Sequence, residues 1–168
     1  MRYTPAAAAL SLALAVTASV THSAPPRQID PRAAALVTQG RADFAAGKVD
    51  AAIDAFESAL AIEPGSAPIY LQLGNATRSQ GMQGKALHYY RLALKAEPAN
   101  LEAISGEGAA LAEKGALEKA RRNLARLEGL CGKDCGAARE LAAAIAKGPA
   151  PKVITAEAVT PAPVVSEN

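Results

Sequence analysis

Apolar and small residues recur along the chain with the spacing of helices that bury one face. Tyr70, Leu73, Gly74 and Thr77 fall at i, i+3, i+4 and i+7, which places them on one side of a helix. Gly81 stops that helix. Ala86, Tyr90, Ala93 and Leu94 mark the buried side of the next one, and Pro98 ends it because proline cannot continue the hydrogen-bond ladder. Further upstream, Asp30 can cap a helix whose first residue is Pro31. Near the other end, Asp134 to Lys147 reads as a final helix. Asp134 would cap it, Ala138, Leu141, Ala142 and Ile145 would form its apolar stripe, and Gly148 would terminate it.

The same pattern repeats every 34 residues. Gly40, Gly74 and Gly108 share that spacing, as do Gly47, Gly81 and Gly115, and Ala52, Ala86 and Ala120. Phe56, Tyr90 and Leu124 occupy one large apolar position, and Ala59, Ala93 and Leu127 another. Pro64 and Pro98 close the first two units, with Gly132 in the corresponding place of the third. Agreement of several independent columns at one period is the mark of a repeat architecture. Each unit reads as a helical hairpin. Gly74 and Ala86 are small where two helices cross closely, and Phe56 and Tyr90 fill the space beside them.

These columns resemble the tetratricopeptide repeat family, most clearly in Tyr70, Leu73, Gly74, Gly81, Ala86, Tyr90, Ala93 and Pro98. The resemblance implies an all-α fold: an α-solenoid of three helical hairpins over residues 33–66, 67–100 and 101–132, wound as a short right-handed superhelix. With a capping helix over 134–147, the repeat domain is expected to span 33–147. The terminal units depart from the family pattern, with Gln39 and Asp43 in the first and Glu107 and Leu127 in the third. Terminal repeats are generally atypical. The resemblance also implies a concave groove lined by the first helix of each repeat. It would present Val37, Arg41 and Phe44, then Leu71, Asn75 and Arg78, then Ser105, Ala109 and Ala112. Arg41, Asn75 and Arg78 are donors that suit a carboxylate or the backbone of an extended peptide. The simpler alternative is that they are solvated surface groups. The basic pattern by which some family members clamp a C-terminal carboxylate is not reproduced, since Val37 and Gly106 stand at two of its positions.

A solenoid leaves its last apolar face bare unless something covers it. Leu124, Leu127 and Leu130 offer such a face, and the 134–147 helix is the expected cover. Cys131 and Cys135 flank the turn between them. In an exported protein they are expected to pair as a disulfide that sets the angle of the cap. The loop is short, so the chain-entropy model assigns it only about 2 kcal/mol. A redox-active pair is the weaker reading, because the spacing is C-x-x-x-C without a βαβ context.

Export is suggested by residues 1–23, which read as a signal peptide. Arg2 supplies a positive start, Pro5 to Val20 is uncharged and rich in Ala, Leu and Val, and Thr21 and Ser23 fit a cleavage site. Cleavage after Ser23 would start the mature chain at Ala24; cleavage after Ala18 is the rival. An uncleaved anchor is disfavoured, because the apolar run is shorter than the span of about 20 residues that a bilayer needs. No membrane span is then expected after cleavage. Residues 24–32 would be a leader. Residues 148–168, with Pro149, Pro151, Pro161 and Pro163, read as a disordered or extended tail without an assigned role.

Composition narrows the chemistry. The chain has 168 residues, enough for one domain, with 50% hydrophobic residues but only 4% aromatic and no Trp. A core of Ala, Leu, Ile and Val suits packed helices. The formal charge is +2 without a basic block, which offers no reason to expect a nucleic-acid partner. Two Cys and one His beyond the signal peptide, His88, make neither a metal site nor a catalytic triad, and no phosphate-binding loop is present. His88 reads as a surface or packing residue. The carboxylate pairs Asp50 with Asp54 and Glu113 with Glu118 carry no distinguishing context. The expectation is therefore a protein that is not an enzyme and needs no cofactor. It would be an exported scaffold, periplasmic if the source is Gram-negative, that binds a peptide segment or an envelope protein in its groove. Alternatives are an assembly factor for cytochrome c or envelope complexes, and a self-associating structural module.

Overall fold

The computed structural model describes residues 29–149. The signal-peptide reading, all but the end of the leader, and the tail from residue 150 onward fall outside them. Among the described residues there are seven α-helices and no strand: α1 (Pro31–Ala45), α2 (Val49–Ile62), α3 (Ala67–Ser79), α4 (Gln83–Ala96), α5 (Leu101–Glu113), α6 (Leu117–Cys131) and α7 (Gly136–Lys147). Consecutive helices pair as the hairpins α1–α2, α3–α4 and α5–α6, and each hairpin packs on the next through α2 against α3 and α4 against α5. The fold is an all-α solenoid capped by α7.

Local signals act where the sequence places them. The Asp30 carboxylate accepts from the Arg32 backbone N–H at 2.8 Å, with Pro31 in the first turn, so α1 begins two residues before the expected repeat boundary. Its backbone N–H in turn donates to Glu63 Oε1 at 2.9 Å, tying the start of α1 to the end of α2. The chain reverses inside the second hairpin at Gly81, whose φ of 74° lies in the left-handed region that side chains with a Cβ avoid. Gly47 and Gly115 do the same at one-repeat intervals.

The start of α7 differs from expectation. Asp134 does not cap it; the N-cap residue is Cys135, and the helix begins at Gly136. Gly132 ends α6 with φ of 83°, so the following residues are needed to turn the chain. Cys131 and Cys135 lie at disulfide-bonding distance across this turn, with Cα atoms 5.8 Å apart. At the far end Gly148 terminates α7 as its sequence suggests.

The repeat columns are the core. Ala52, Ala86 and Ala120 are fully buried, as are Ala59, Ala93 and Leu127. These small residues let helices approach, and two aromatic rings fill the gaps. A Cβ on Gly40 would sit 2.5 Å from Phe56 Cε1, and one on Gly74 would sit 2.6 Å from Tyr90 Cε1. Tyr90 is enclosed from a second side, because a Cβ on Gly106 would lie 2.5 Å from its Cζ and 2.9 Å from its Oη. In the third unit the pattern changes. Leu124, the expected filler, is only partly buried, and the side chain against Gly108 is Leu141 of α7. The cap thus supplies the large residue that the third hairpin lacks.

Tyr90 cannot move away from both glycines at once, so Gly106→Ala is expected to destabilise the fold by about 1–3 kcal/mol through overpacking. Gly74→Leu should cost at least as much. Gly84→Ala is the control: it has open space around it on α4 and should be neutral or stabilising. Thermal melts of the three variants check this. A Gly106→Ala melt equal to wild type would show that the ring is not clamped.

Candidate functional site

Three adjoining clefts run along the inner helices. The first, of about 770 Å³, is lined by Phe44 of α1, by Asn75, Arg78 and Ser79 of α3, by Gln83 and Glu113, and by Ala143, Ala144 and Lys147 of α7. The second shares Asn75 and Arg78 with it and adds Glu102, Ser105, Gly106, Ala137 and Glu140. The third shares Glu102 and reaches Arg41, Pro68, Leu71 and Gln72. The shared residues make one groove. It follows α3 from Pro68 to Ser79, a length of about 17 Å at 1.5 Å per residue.

The floor is a hydrogen-bonded network. Arg78 donates to Glu113 Oε1 from Nε at 2.9 Å and from Nη2 at 2.7 Å. Gln83 Nε2 donates to the other oxygen of Glu113 at 2.7 Å. Burial alone would lower the pKa of Arg78, but the Glu113 hydrogen bonds and charge outweigh it and hold the guanidinium above its ordinary value. Beside this pair, Tyr90 Oη donates to Asn75 Oδ1 at 2.8 Å. Burial pushes the Tyr90 phenol up to about 12, although the nearby Arg78 charge pulls the other way.

Of the nine groove residues expected from sequence, Phe44, Asn75 and Arg78 meet in the first cleft, Ser105 lines the second, and Arg41 and Leu71 line the far end. Val37 lies in none of these clefts. It is buried in the core with Ile69 and Leu73, where α3 packs over α1. Leu71 is also mostly buried, and Ala109 and Ala112 are core residues. Arg78 gives its Nε–H and one Nη2–H to Glu113, so only its remaining N–H groups are open to a ligand. Glu113 bonds Arg78 and Glu118 bonds Arg121, so the two carboxylates of that pair serve different partners. Asp50 accepts from Gln80 at 2.6 Å. His88 is exposed and edge-on to Tyr89.

Sequence reasoning missed Glu113, Gln83 and the whole α7 wall. Glu113 lies 35 residues after Arg78, one repeat and one residue on, and that offset was the available signal. Helix α7 was read only as a cover for α6. It packs at least as closely on α5, and this brings Glu140, Ala143 and Lys147 to the groove. Among the described residues no helix is long and apolar enough to cross a membrane, and no three His, Cys, Asp or Glu side chains gather to hold a metal.

This architecture is that of tetratricopeptide repeat domains. Residues 67–100, the second hairpin, match the family model of the tetratricopeptide repeat. The Sgt2 TPR domain from Aspergillus fumigatus is similar in structure, with a TM-score of 0.63 and 25% identity over 85% of this chain and 95% of that one. The first TPR of Spaghetti (RPAP3), bound to the HSP90 peptide SRMEEVD, has a TM-score of 0.62 and 24% identity over 72% of this chain and 99% of that one. The first TPR domain of human RPAP3 has a TM-score of 0.61 and 24% identity, covering 69% and 94%. No curated protein matches the sequence.

The Tyr90 environment makes a pH prediction. Its folded pKa of about 12 exceeds the ordinary 10, so the folded protein holds the phenolic proton more tightly than the unfolded chain does. The associated stability is complete below pH 10 and is lost as pH rises toward 12. Denaturant melts across that window should show the decline, and Tyr90→Phe should remove most of it. Tyr90→Phe should also lose about 0.5–1.5 kcal/mol at neutral pH with the Asn75 hydrogen bond. An unchanged alkaline slope in Tyr90→Phe would reassign the decline to other groups.

Proposed function

We propose that this protein is an exported, non-enzymatic interaction module that holds an extended segment of a protein partner in the groove between α1, α3, α5 and α7. The observation that carries the reading is the groove itself: three clefts joined through Asn75, Arg78 and Glu102, open along the inner helices and walled by the cap. A structurally similar domain is bound to a peptide, which supports the same use of the fold here. Phe44, Ala143 and Ala144 offer apolar contact, and Asn75 and Gln83 offer amides suited to a peptide backbone. Export rests on the signal-like first 23 residues. In the periplasm of a Gram-negative source the Cys131–Cys135 pair would be oxidised.

Ala143 is exposed in the cleft wall and away from the core, so Ala143→Trp fills the groove without disturbing the fold. Partners captured from the native envelope fraction by the wild-type chain should be lost with Ala143→Trp. They should be retained with Arg121→Ala, Arg122→Ala on the outer helix α6. The reverse pattern would move the binding surface to the convex side.

Intact-mass measurement of protein from the native host tests export and oxidation together. The expected species begins at Ala24 and carries no free thiol on alkylation under denaturing, non-reducing conditions. A full-length species with two reactive thiols would sink both.

A further inference from the structure

The groove is walled by helices whose charged groups do not balance evenly along it. Six ionic side chains line it: Arg41 from α1, Arg78 from α3, Glu102 and Glu113 from α5, and Glu140 and Lys147 from α7. Arg78 and Glu113 neutralise one another through two hydrogen bonds. Arg41 lies at one end and Lys147 at the other. The central cleft, of about 440 Å³, is left with Glu102 and Glu140, and neither makes an ion pair among the described residues. Both are exposed, and they line one cleft from different helices, α5 and α7.

We infer that the groove selects a segment bearing a Lys or Arg side chain, seated in the central cleft between Glu102 and Glu140, and disfavours segments rich in carboxylates. This rests on the reading that the groove is the binding surface. A cation entering there meets two carboxylates at once, one from each wall, and is attracted more than by either alone. An acidic segment meets the same two charges as repulsion. The only guanidinium in that cleft, Arg78, is already paired with Glu113, which offsets the charge it would offer an incoming carboxylate. The similar domain that binds SRMEEVD accepts a peptide with three acidic residues. Despite the shared fold, this groove takes the opposite charge.

The test is selection of a phage-displayed library of random dodecamers on the full-length chain, with Ala143→Trp as the filled-groove control. Enriched sequences should carry at least one Lys or Arg and be poor in Asp and Glu. Synthetic peptides of those sequences should bind at least tenfold more weakly to the variant Glu102→Gln, Glu140→Gln, which keeps side-chain size and removes both charges. The peptide SRMEEVD should bind the wild-type chain more weakly than any of them. Circular dichroism confirms that both variants fold. Acidic or uncharged consensus sequences, lost in Ala143→Trp, would overturn the charge selection and leave the groove in place. So would basic sequences that bind the double Gln variant as tightly as wild type. Failure to enrich any sequence over Ala143→Trp would overturn the groove reading and this inference with it.

Discussion

Much of this molecule depends on where the ring of Tyr90 can go. Gly74 on one side and Gly106 on the other approach it so closely that neither position has room for a methyl group. The ring is therefore a spacer between α3 and α5, and it fixes how far the second hairpin stands from the third. Phe56 against Gly40 does the corresponding work in the first hairpin, from one side only. Because the Tyr90 hydroxyl emerges at Asn75, the contact that sets helix spacing also reaches the groove floor. Packing and site geometry are here one constraint.

The third hairpin shows what happens when that spacer is missing. Leu124 holds the position equivalent to Tyr90, but a leucine there does not reach across Gly108. Leu141 of α7 fills the space instead. A solenoid end must cover its apolar face, and here a helix that leans onto α5 as well as α6 buries Leu127 and part of Leu124, while Leu130 stays exposed. That lean has a second consequence. A helix lying only on α6 would cap the end and leave the inner surface open, whereas α7 becomes the fourth wall of the groove.

The period was legible because it is written in residues that can be only small or only large. Ala52, Ala86 and Ala120 leave no room for alternatives, and their burial follows directly from the 34-residue spacing. The groove was harder to read, because its residues are defined by what the neighbouring repeat does. Val37 and Arg41 lie one turn apart on α1, and Val37 joins a buried cluster with residues of α2 and α3 while Arg41 stays exposed. The surroundings of Arg78 were harder to read, because the Glu113 that takes two of its N–H protons belongs to the next hairpin. Asp134 looked like a cap because a short acidic residue suits one, but the turn after Gly132 needed it elsewhere.

Charge is sorted by helix from α2 to α5, and this sorting bears on what the groove is left with. The acidic residues Asp50, Asp54 and Glu57 are the only charged residues of α2, and Glu102, Glu107 and Glu113 the only ones of α5. The intervening α4 carries only the bases Lys85, Arg91 and Lys95. Pairs then form across helices: Lys85 with Glu57, Arg91 with Glu107 and Arg78 with Glu113. An exposed pair such as Lys85 with Glu57 contributes only about 0–1 kcal/mol, so the matching acts mainly on which helices pack together and in what register. A slip of one hairpin against the next would set Glu107 and Glu113 away from their cations. Glu102 is the α5 carboxylate that this matching leaves over. It sits where α5 enters the groove and shares a cleft with a second unmatched carboxylate from the cap, so the same sorting that orders the hairpins shapes the charge of that surface.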